Sequence, residues 1–178
     1  MLSSKIGHAL DPYIIWVYRL FLKKKDLNPN LITLFGFFFG ILSSVFIVLG
    51  ELFIAGIFLL ISGFFDLLDG ALARTSRRVT VFGGFLDSVL DRYTDLLVLV
   101  GLGVHFVLTK EMIGVIMVLI SIVGVAIIPY AKARALAEGI NCNAGLLERP
   151  ERAILLILGL ILDYSLYSVA ILAFLSHI

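Results

Sequence analysis

Between Phe64 and Arg92 the chain reads FFDLLDGALARTSRRVTVFGGFLDSVLDR and carries four aspartates, Asp66, Asp69, Asp87 and Asp91. On a helix the first two are three residues apart and the last two four apart, so each pair projects from one face over a single turn. Two such helices facing each other would present four carboxylates, hard oxygen ligands suited to Mg²⁺, Mn²⁺ or Ca²⁺. Two ions about 3.5–4 Å apart could neutralise a diphosphate and activate a nucleophile. Gly70, Gly83 and Gly84 remove side chains where a backbone or a phosphate must come close, and Ala71 and Ala73 permit close helix contact. Arg74 adds a cation for phosphate oxygens.

These carboxylates sit in an unusually apolar chain. Its 178 residues are 61% hydrophobic and 15% charged, with a mean hydropathy of +1.10, which places it among integral membrane proteins. An ionised Asp at the centre of a spanning helix costs about 2.5–3.5 kcal/mol, so the cluster implies a cationic or watery partner. Apolar runs over Leu31–Leu49, Leu52–Leu72, Val81–Leu108, Ile113–Tyr130, Ala153–Leu162 and Ser165–Ile178 are each compared with the roughly 20 residues of a membrane span. The expectation is an all-α integral membrane protein with six transmembrane helices, four being the alternative count, and an N-terminal interfacial amphipathic helix. The last two runs are short, so the fifth helix should begin near Arg149 or Pro150.

Six spans put both termini on one membrane face. Of 14 Lys and Arg residues, only Lys110 then falls opposite. This asymmetry sets the termini, the Asp-rich segment and the Lys132–Arg152 loop in the cytoplasm. The basic cluster Lys23–Lys25 ahead of the first long apolar stretch argues against a cleaved signal peptide. With no linker or repeat, residues 1–178 read as one domain, 1–28 interfacial and 29–178 the six-helix core. Asp11-Pro12 starts the interfacial helix, with Tyr13, Trp16 and Tyr18 beside Arg19 and Lys23, best read as an anchor. Asn28-Pro29-Asn30 ends it, and Asn30 is expected to cap the next helix, leaving the amides of Leu31, Ile32 and Thr33 suited to polar ligand atoms. Cys142 alone excludes an internal disulfide, and His8, His105 and His177 lack zinc-like spacing.

The pattern Asp66-x-x-Asp69-Gly70-x-x-Ala73-Arg74, eight residues, Gly83-x-x-x-Asp87-x-x-x-Asp91 resembles the CDP-alcohol phosphotransferase signature at every defined position. The resemblance implies transfer of a phosphate-linked lipid from a CDP carrier to an alcohol, with release of CMP. It implies two bound Mg²⁺, or Mn²⁺, held by Asp66, Asp69, Asp87 and Asp91, with Asp91 also the base that takes the acceptor proton. Gly70, Arg74 and Thr80, with Asn30, Leu31, Ile32 and Thr33, would contact the donor. A homodimer is implied as well, and no nucleic-acid partner is expected. Asp95, one turn beyond Asp91, lies outside the signature and is read as an ion-pair or supporting residue.

The strings YAKARALAEG and GLLERPER resemble the branch of this family that makes phosphatidylinositol phosphate, or its archaeal counterpart, from inositol 1-phosphate. Lys132, Arg134, Arg149 and Arg152 would then cradle the acceptor phosphate, against the simpler reading of topology-setting charge. Glu138, Glu148 and Glu151 interrupt the basic surface, and Glu148 or Glu151 could orient the arginines. The rival readings are another acceptor (glycerol 3-phosphate, serine or CDP-inositol-type chemistry), a divalent-cation transporter, and ion pairs of the aspartates with Arg74, Arg77, Arg78 and Arg92.

Overall fold

The structure is a computed structural model, and it describes residues 28–75, 80–140, 147 and 149–177, with the backbone alone at 73–75. The expected interfacial helix around Tyr13–Lys25, together with Arg77, Arg78, Cys142 and Glu148, lies outside the described residues. The helices are α1 Pro29–Val48, α2 Leu52–Thr75, α3 Val81–Leu108, α4 Met112–Ala137, α5 Arg149–Ile161 and α6 Ser165–Leu175. Every regular element among the described residues is helical. Three segments, α1, Leu52–Leu72 of α2, and α4, are long and apolar enough to cross a membrane by length and composition. The 28-residue α3 carries Asp87, Asp91, Arg92 and Asp95 in its first 15 residues, while α5 and α6 have 13 and 11 residues, short of the roughly 20 needed for a perpendicular span.

The first helix starts two residues earlier than its sequence suggests. Asn28, rather than Asn30, is the N-cap, and its Oδ1 accepts from the Asn30 amide at 3.1 Å. Pro29 follows at the first helical position, where its missing N–H is no loss and its fixed φ suits the helix. The Leu31 amide donates to Asn28 O at 3.0 Å, so neither the Asn30 nor the Leu31 amide is open to a ligand.

The fourth helix runs further than the apolar run that announced it. It continues through Pro129 to Ala137, so Lys132 and Arg134 are helical rather than in a loop. Proline removes one backbone donor, yet the alanine-rich YAKARALA that follows has high helix propensity. The helix stops at Gly139, φ +73°, where Gly139 N donates to Leu136 O at 3.0 Å and Ile140 N to Ala135 O at 2.9 Å, a Schellman ending. The same paired bonds close α1 at Gly50, α3 at Lys110 and α5 at Asp163, all with positive φ. Three of these endings make the short α1–α2, α3–α4 and α5–α6 turns, and the longer connections gather at the other end of the bundle.

The main helix contacts close a ring in the order α1, α2, α5, α6, α4, α3. Small residues set the spacing. A Cβ at Gly40 of α1 would stand 2.6 Å from Thr94 Cγ2 of α3, and one at Gly101 of α3 would stand 2.8 Å from Ser44 Oγ of α1. Serines then bond the neighbouring backbone directly: Ser43 Oγ to Ala55 O at 2.8 Å, Ser62 Oγ to Gly36 O at 2.8 Å, and Ser44 Oγ to Leu97 O at 2.7 Å. Small residues and interhelical hydroxyl bonds are how helices associate where lipid removes the hydrophobic drive. Aromatic pairs Phe39–Phe65 and Phe46–Phe58, with centroids 5.5 and 5.1 Å apart, fill the rest of the α1–α2 seam. The core itself centres on Ile47, Leu99, Leu102, Leu160 and Leu172.

Gly40→Val should lower the thermal midpoint of the purified protein, because overpacking costs about 1–3 kcal/mol. Gly63→Ala should leave it near the wild-type value, since a Cβ there meets nothing within 4 Å. Thermal unfolding in detergent compares the two directly.

Candidate active site

Five helix ends converge where the longer connections lie. α2 delivers Asp66, Asp69 and Gly70 from its last turns, and α3 delivers Asp87, Asp91 and Asp95 from its first 15 residues. α1 contributes Thr33 near its start, α4 Lys132 near its end, and α5 Arg149 and Arg152 from its first turn. Buried Ile32, Leu68 and Ala71, with Phe65 and Leu72 against them, fasten α1 to α2 beside the aspartates.

Asp66, Asp69 and Asp87 each offer a carboxylate oxygen within 4.8 Å of the others, a spread that a hard divalent ion with metal–oxygen distances of roughly 2.0–2.6 Å can bridge. Asp69 is 5% exposed. Its Oδ2 and Asp87 Oδ1 are buried with no hydrogen-bond partner, a costly state for carboxylate oxygens unless a cation meets them. All-oxygen, close together and with two of their oxygens buried and unpartnered, these carboxylates fit a divalent metal.

The fourth carboxylate is held differently. Arg149 Nη2 lies 2.5 Å from Asp91 Oδ1, and Arg149 Nη1 lies 2.6 Å from Asp66 Oδ2. One guanidinium thus bridges α2 and α3 with the forked geometry that suits arginine to paired anions. Deeper in the bundle, Arg152 Nη2 pairs with Asp95 Oδ2 at 2.9 Å, and Arg152 Nη1 donates to Leu147 O at 3.3 Å. Arg152 is 5% exposed, and its Nε has no partner.

Beside the carboxylates opens a cavity of about 480 Å³ whose wall includes Asp91, Asp95, Lys132, Arg149 and Arg152. A second pocket of about 10 Å³ lies among Thr33, Ser62, Asp66, Asp69, Asp91 and Arg149. Arg149 lines both.

Among the residues expected for the acceptor, Lys132, Arg149 and Arg152 therefore meet at one cavity. Arg134 does not line it. Its guanidinium pairs with Glu138 one turn on, at 2.5 Å and largely in solvent, an (i, i+4) pairing of modest worth. Of the donor residues, Thr33 is buried beside Asp69 and donates to Pro29 O at 3.2 Å, while Thr80 caps α3 by accepting from the Gly83 amide at 2.9 Å. Gly83 is glycine for a reason of space: a Cβ there would stand 2.9 Å from Thr80 Oγ1 and 3.0 Å from Asn30 Oδ1. Gly70 sits on α2 next to Asp69, and Arg74 lies on its last turn with its side chain outside the described set. Asp95, read from the sequence as an ion-pair or supporting residue one turn beyond Asp91, anchors Arg152, a partner that its spacing did not identify. Pro129 and Leu147 also line the cavity; Pro129 precedes the string YAKARALAEG, and Leu147 lies within GLLERPER without an assigned role.

An all-helical ring with a carboxylate cluster and a basic cavity at one end defines a class of membrane-embedded, metal-dependent site. Residues 26–177 match the family described as CDP-alcohol phosphatidyltransferase, and the chain belongs to that family. It is 34% identical over 141 residues to the archaetidylinositol phosphate synthase of Methanothermobacter thermautotrophicus, covering 79% of this chain and 70% of the relative. To the archaetidylinositol phosphate synthase of Pyrococcus horikoshii it is 33% identical over 156 residues, 85% of this chain and 80% of the relative. The crystal structure of Mycobacterium tuberculosis phosphatidylinositol phosphate synthase with CDP-DAG bound superposes with a TM-score of 0.78 at 29% identity, covering 94% of this chain and 87% of that one. A crystal of the same protein with manganese and citrate gives a TM-score of 0.80, covering 94% and 83%. The chain is therefore a transferase of phospholipid synthesis that uses a divalent cation.

Removing one member of a buried ion pair leaves the other charge stranded and costs about 3–5 kcal/mol. Asp95→Ala should accordingly destabilise the fold by that order, read in an unfolding titration. Asp87→Asn, at a carboxylate whose Oδ1 is buried without a hydrogen-bond partner, should leave the unfolding midpoint close to wild type while lowering Mn²⁺ affinity at least tenfold, read by electron paramagnetic resonance of bound and free ion.

Proposed function

We propose that this protein transfers the phosphatidyl-type group, diacylglycerol phosphate or archaeol phosphate, from a CDP-linked lipid to inositol 1-phosphate, releasing CMP. The observation that carries this reading is the juxtaposition of three clustered carboxylates with a cavity of about 480 Å³ walled by Lys132, Arg149 and Arg152. An acceptor that is itself phosphorylated brings nearly two negative charges, which cations beside the reaction centre suit. Relatives named as inositol phosphate lipid synthases support the same acceptor.

In this reading Asp66, Asp69, Asp87 and Asp91 hold two divalent ions, Mg²⁺ or Mn²⁺. When bound, these supply charge neutralisation at the donor diphosphate and acidify the attacking hydroxyl. Asp91, on the wall between carboxylates and cavity, takes the acceptor hydroxyl proton as that oxygen bonds to the lipid-bearing phosphorus and the bridge to CMP breaks. Lys132, Arg149 and Arg152 fix the acceptor phosphate so that its hydroxyl points at that phosphorus, and the unpartnered Nε of buried Arg152 is a donor ready for it. Arg134 gives the cavity positive field from the α4 surface. Gly70, Arg74, Thr80 and the α1 start from Asn30 to Thr33, through their side chains and surface, receive the nucleotide and diphosphate. Orientation and charge neutralisation then supply most of the rate, as in phosphoryl transfer generally.

We place residues 1–178 as a single membrane domain of six spans and an interfacial N-terminal helix, working as a homodimer in the cell membrane. The face rich in Lys and Arg, with both termini and the site, is cytoplasmic. The α5–α6 hairpin crosses as a short pair, its length made up by thinning or tilt of the bilayer around it.

Purified protein with Mg²⁺ and a CDP-lipid should release CMP when inositol 1-phosphate is added. Release with glycerol 3-phosphate, serine or free inositol instead would overturn the acceptor, and none with any of them would overturn the reaction. Asp91→Asn should lower kcat by about 10²–10⁴, the range of a general base, with CDP-lipid affinity nearly unchanged. A wild-type rate in that variant would exclude Asp91 as base.

A further inference from the structure

Two ion pairs cross the ring from α5 to α3, although these helices are not principal neighbours. Along α3, Asp91 and Asp95 are one turn apart. Along α5, Arg149 and Arg152 are nearly so, and both helices run inward from the same end. The inner pair, Arg152 with Asp95, is enclosed, with side chains 6% and 16% exposed and a backbone carbonyl as additional partner. The outer pair is more open: Arg149 is 31% exposed, touches two carboxylates expected to bind metal, and lines both the carboxylate pocket and the larger cavity. A guanidinium there supplies positive charge to two of the carboxylates that a divalent ion would neutralise. The two compete for the same negative charge: an ion held by Asp66 and Asp91 would stand within a few ångströms of a guanidinium held by the same two side chains, and the two cations would repel each other.

We infer that Arg149 and a divalent ion are alternative partners of Asp66 and Asp91, so that metal loading releases the Arg149 side chain into the adjoining cavity, where it receives an acidic phosphate. The metal would then create the acceptor site as well as the reaction centre, and the acceptor phosphate would hold the guanidinium away from the carboxylates. Linkage makes the effect mutual: each ligand raises the affinity of the other by the same factor. Arg152, held by Asp95, stays in place and keeps α5 in register during the exchange. The exchange itself does not depend on which acceptor is used; its cavity half rests on the phosphate-binding role proposed above.

The test uses full-length protein in lipid nanodiscs without donor. Mn²⁺ binding, followed by electron paramagnetic resonance, should tighten at least tenfold in Arg149→Ala, less in Arg149→Lys, whose single ammonium cannot bridge both carboxylates, and under twofold in Lys132→Ala. Lysine 132 lines the same cavity but makes no ion pair with the cluster, so it reports the general field alone. Equal tightening in Arg149→Ala and Lys132→Ala would overturn the exchange. In calorimetry, inositol 1-phosphate and inorganic phosphate should each bind the wild type at least tenfold more tightly with Mg²⁺, and Arg149→Ala should bind weakly with or without it. Wild-type phosphate binding indifferent to Mg²⁺ would overturn the coupling. Binding of inorganic phosphate but not inositol 1-phosphate would instead overturn the proposed acceptor and leave the exchange standing.

Discussion

Mutual repulsion among buried carboxylates is the constraint on which this structure turns. Asp66, Asp69 and Asp87 present oxygens within 4.8 Å of one another, and two like charges 4 Å apart repel by about 4 kcal/mol at an effective dielectric of 20. Such a cluster persists only where positive charge is at hand. The protein brings it through Arg149 of α5, next to α2 in the ring, whose fork gives one donor to Asp66 and another to Asp91. Glycines follow from the same demand: the approach of Asn30 and Thr80 to the start of α3 leaves no room for a Cβ at Gly83.

A ring of helices meets a second constraint, that of lipid on the outside and charge within. Large apolar side chains such as Leu34, Phe38, Val100, Leu119 and Ile127 are exposed along its flanks, the expected face toward hydrocarbon. Between helices, attraction comes from close backbone approach and from hydroxyls such as Ser43 and Ser62 bonding carbonyls across the seam. Tight Schellman turns close one end of the ring. At the other end lies the cavity beside the aspartates. A donor whose chains lie along the flank could bring its diphosphate to that end without moving its tails out of the bilayer.

Much of this was legible in the residues, and the parts that were not share a physical cause. Helical spacing marks Asp66 with Asp69 and Asp87 with Asp91 as sharing faces, because three- and four-residue steps are local geometry. It does not tell which distant side chain meets them, so the arginines of α5 read as acceptor ligands with no sign that Arg149 grips Asp66 and Asp91. Apolar runs locate all six helices within a few residues, since burial in lipid demands them. They misplace the end of α4, where alanine-rich helix propensity carries the backbone past Pro129 into polar sequence. The α1 cap moved from Asn30 to Asn28 for a similarly local reason, the fit of Pro29 to the first helical position. Arg134 shows the reverse: its pairing with Glu138 needs only a four-residue step, and a solvated pair of that kind was readable from spacing alone.

The two arginines of α5 show why equal charge need not mean equal role. Arg152 is enclosed, pairs with one carboxylate and a carbonyl, and has nowhere to go without stranding Asp95. Arg149 stands one turn nearer the opening, shared between two carboxylates and bordered by free space. Burial determines which contact is a strut and which is exchangeable, because desolvation makes breaking the inner pair costly while water and ions can replace the outer one. A reaction that joins two anionic substrates over an anionic cluster needs both kinds: a fixed charge to hold the helices, and a second that can turn from the protein's own carboxylates to the substrate's phosphate once other cations arrive.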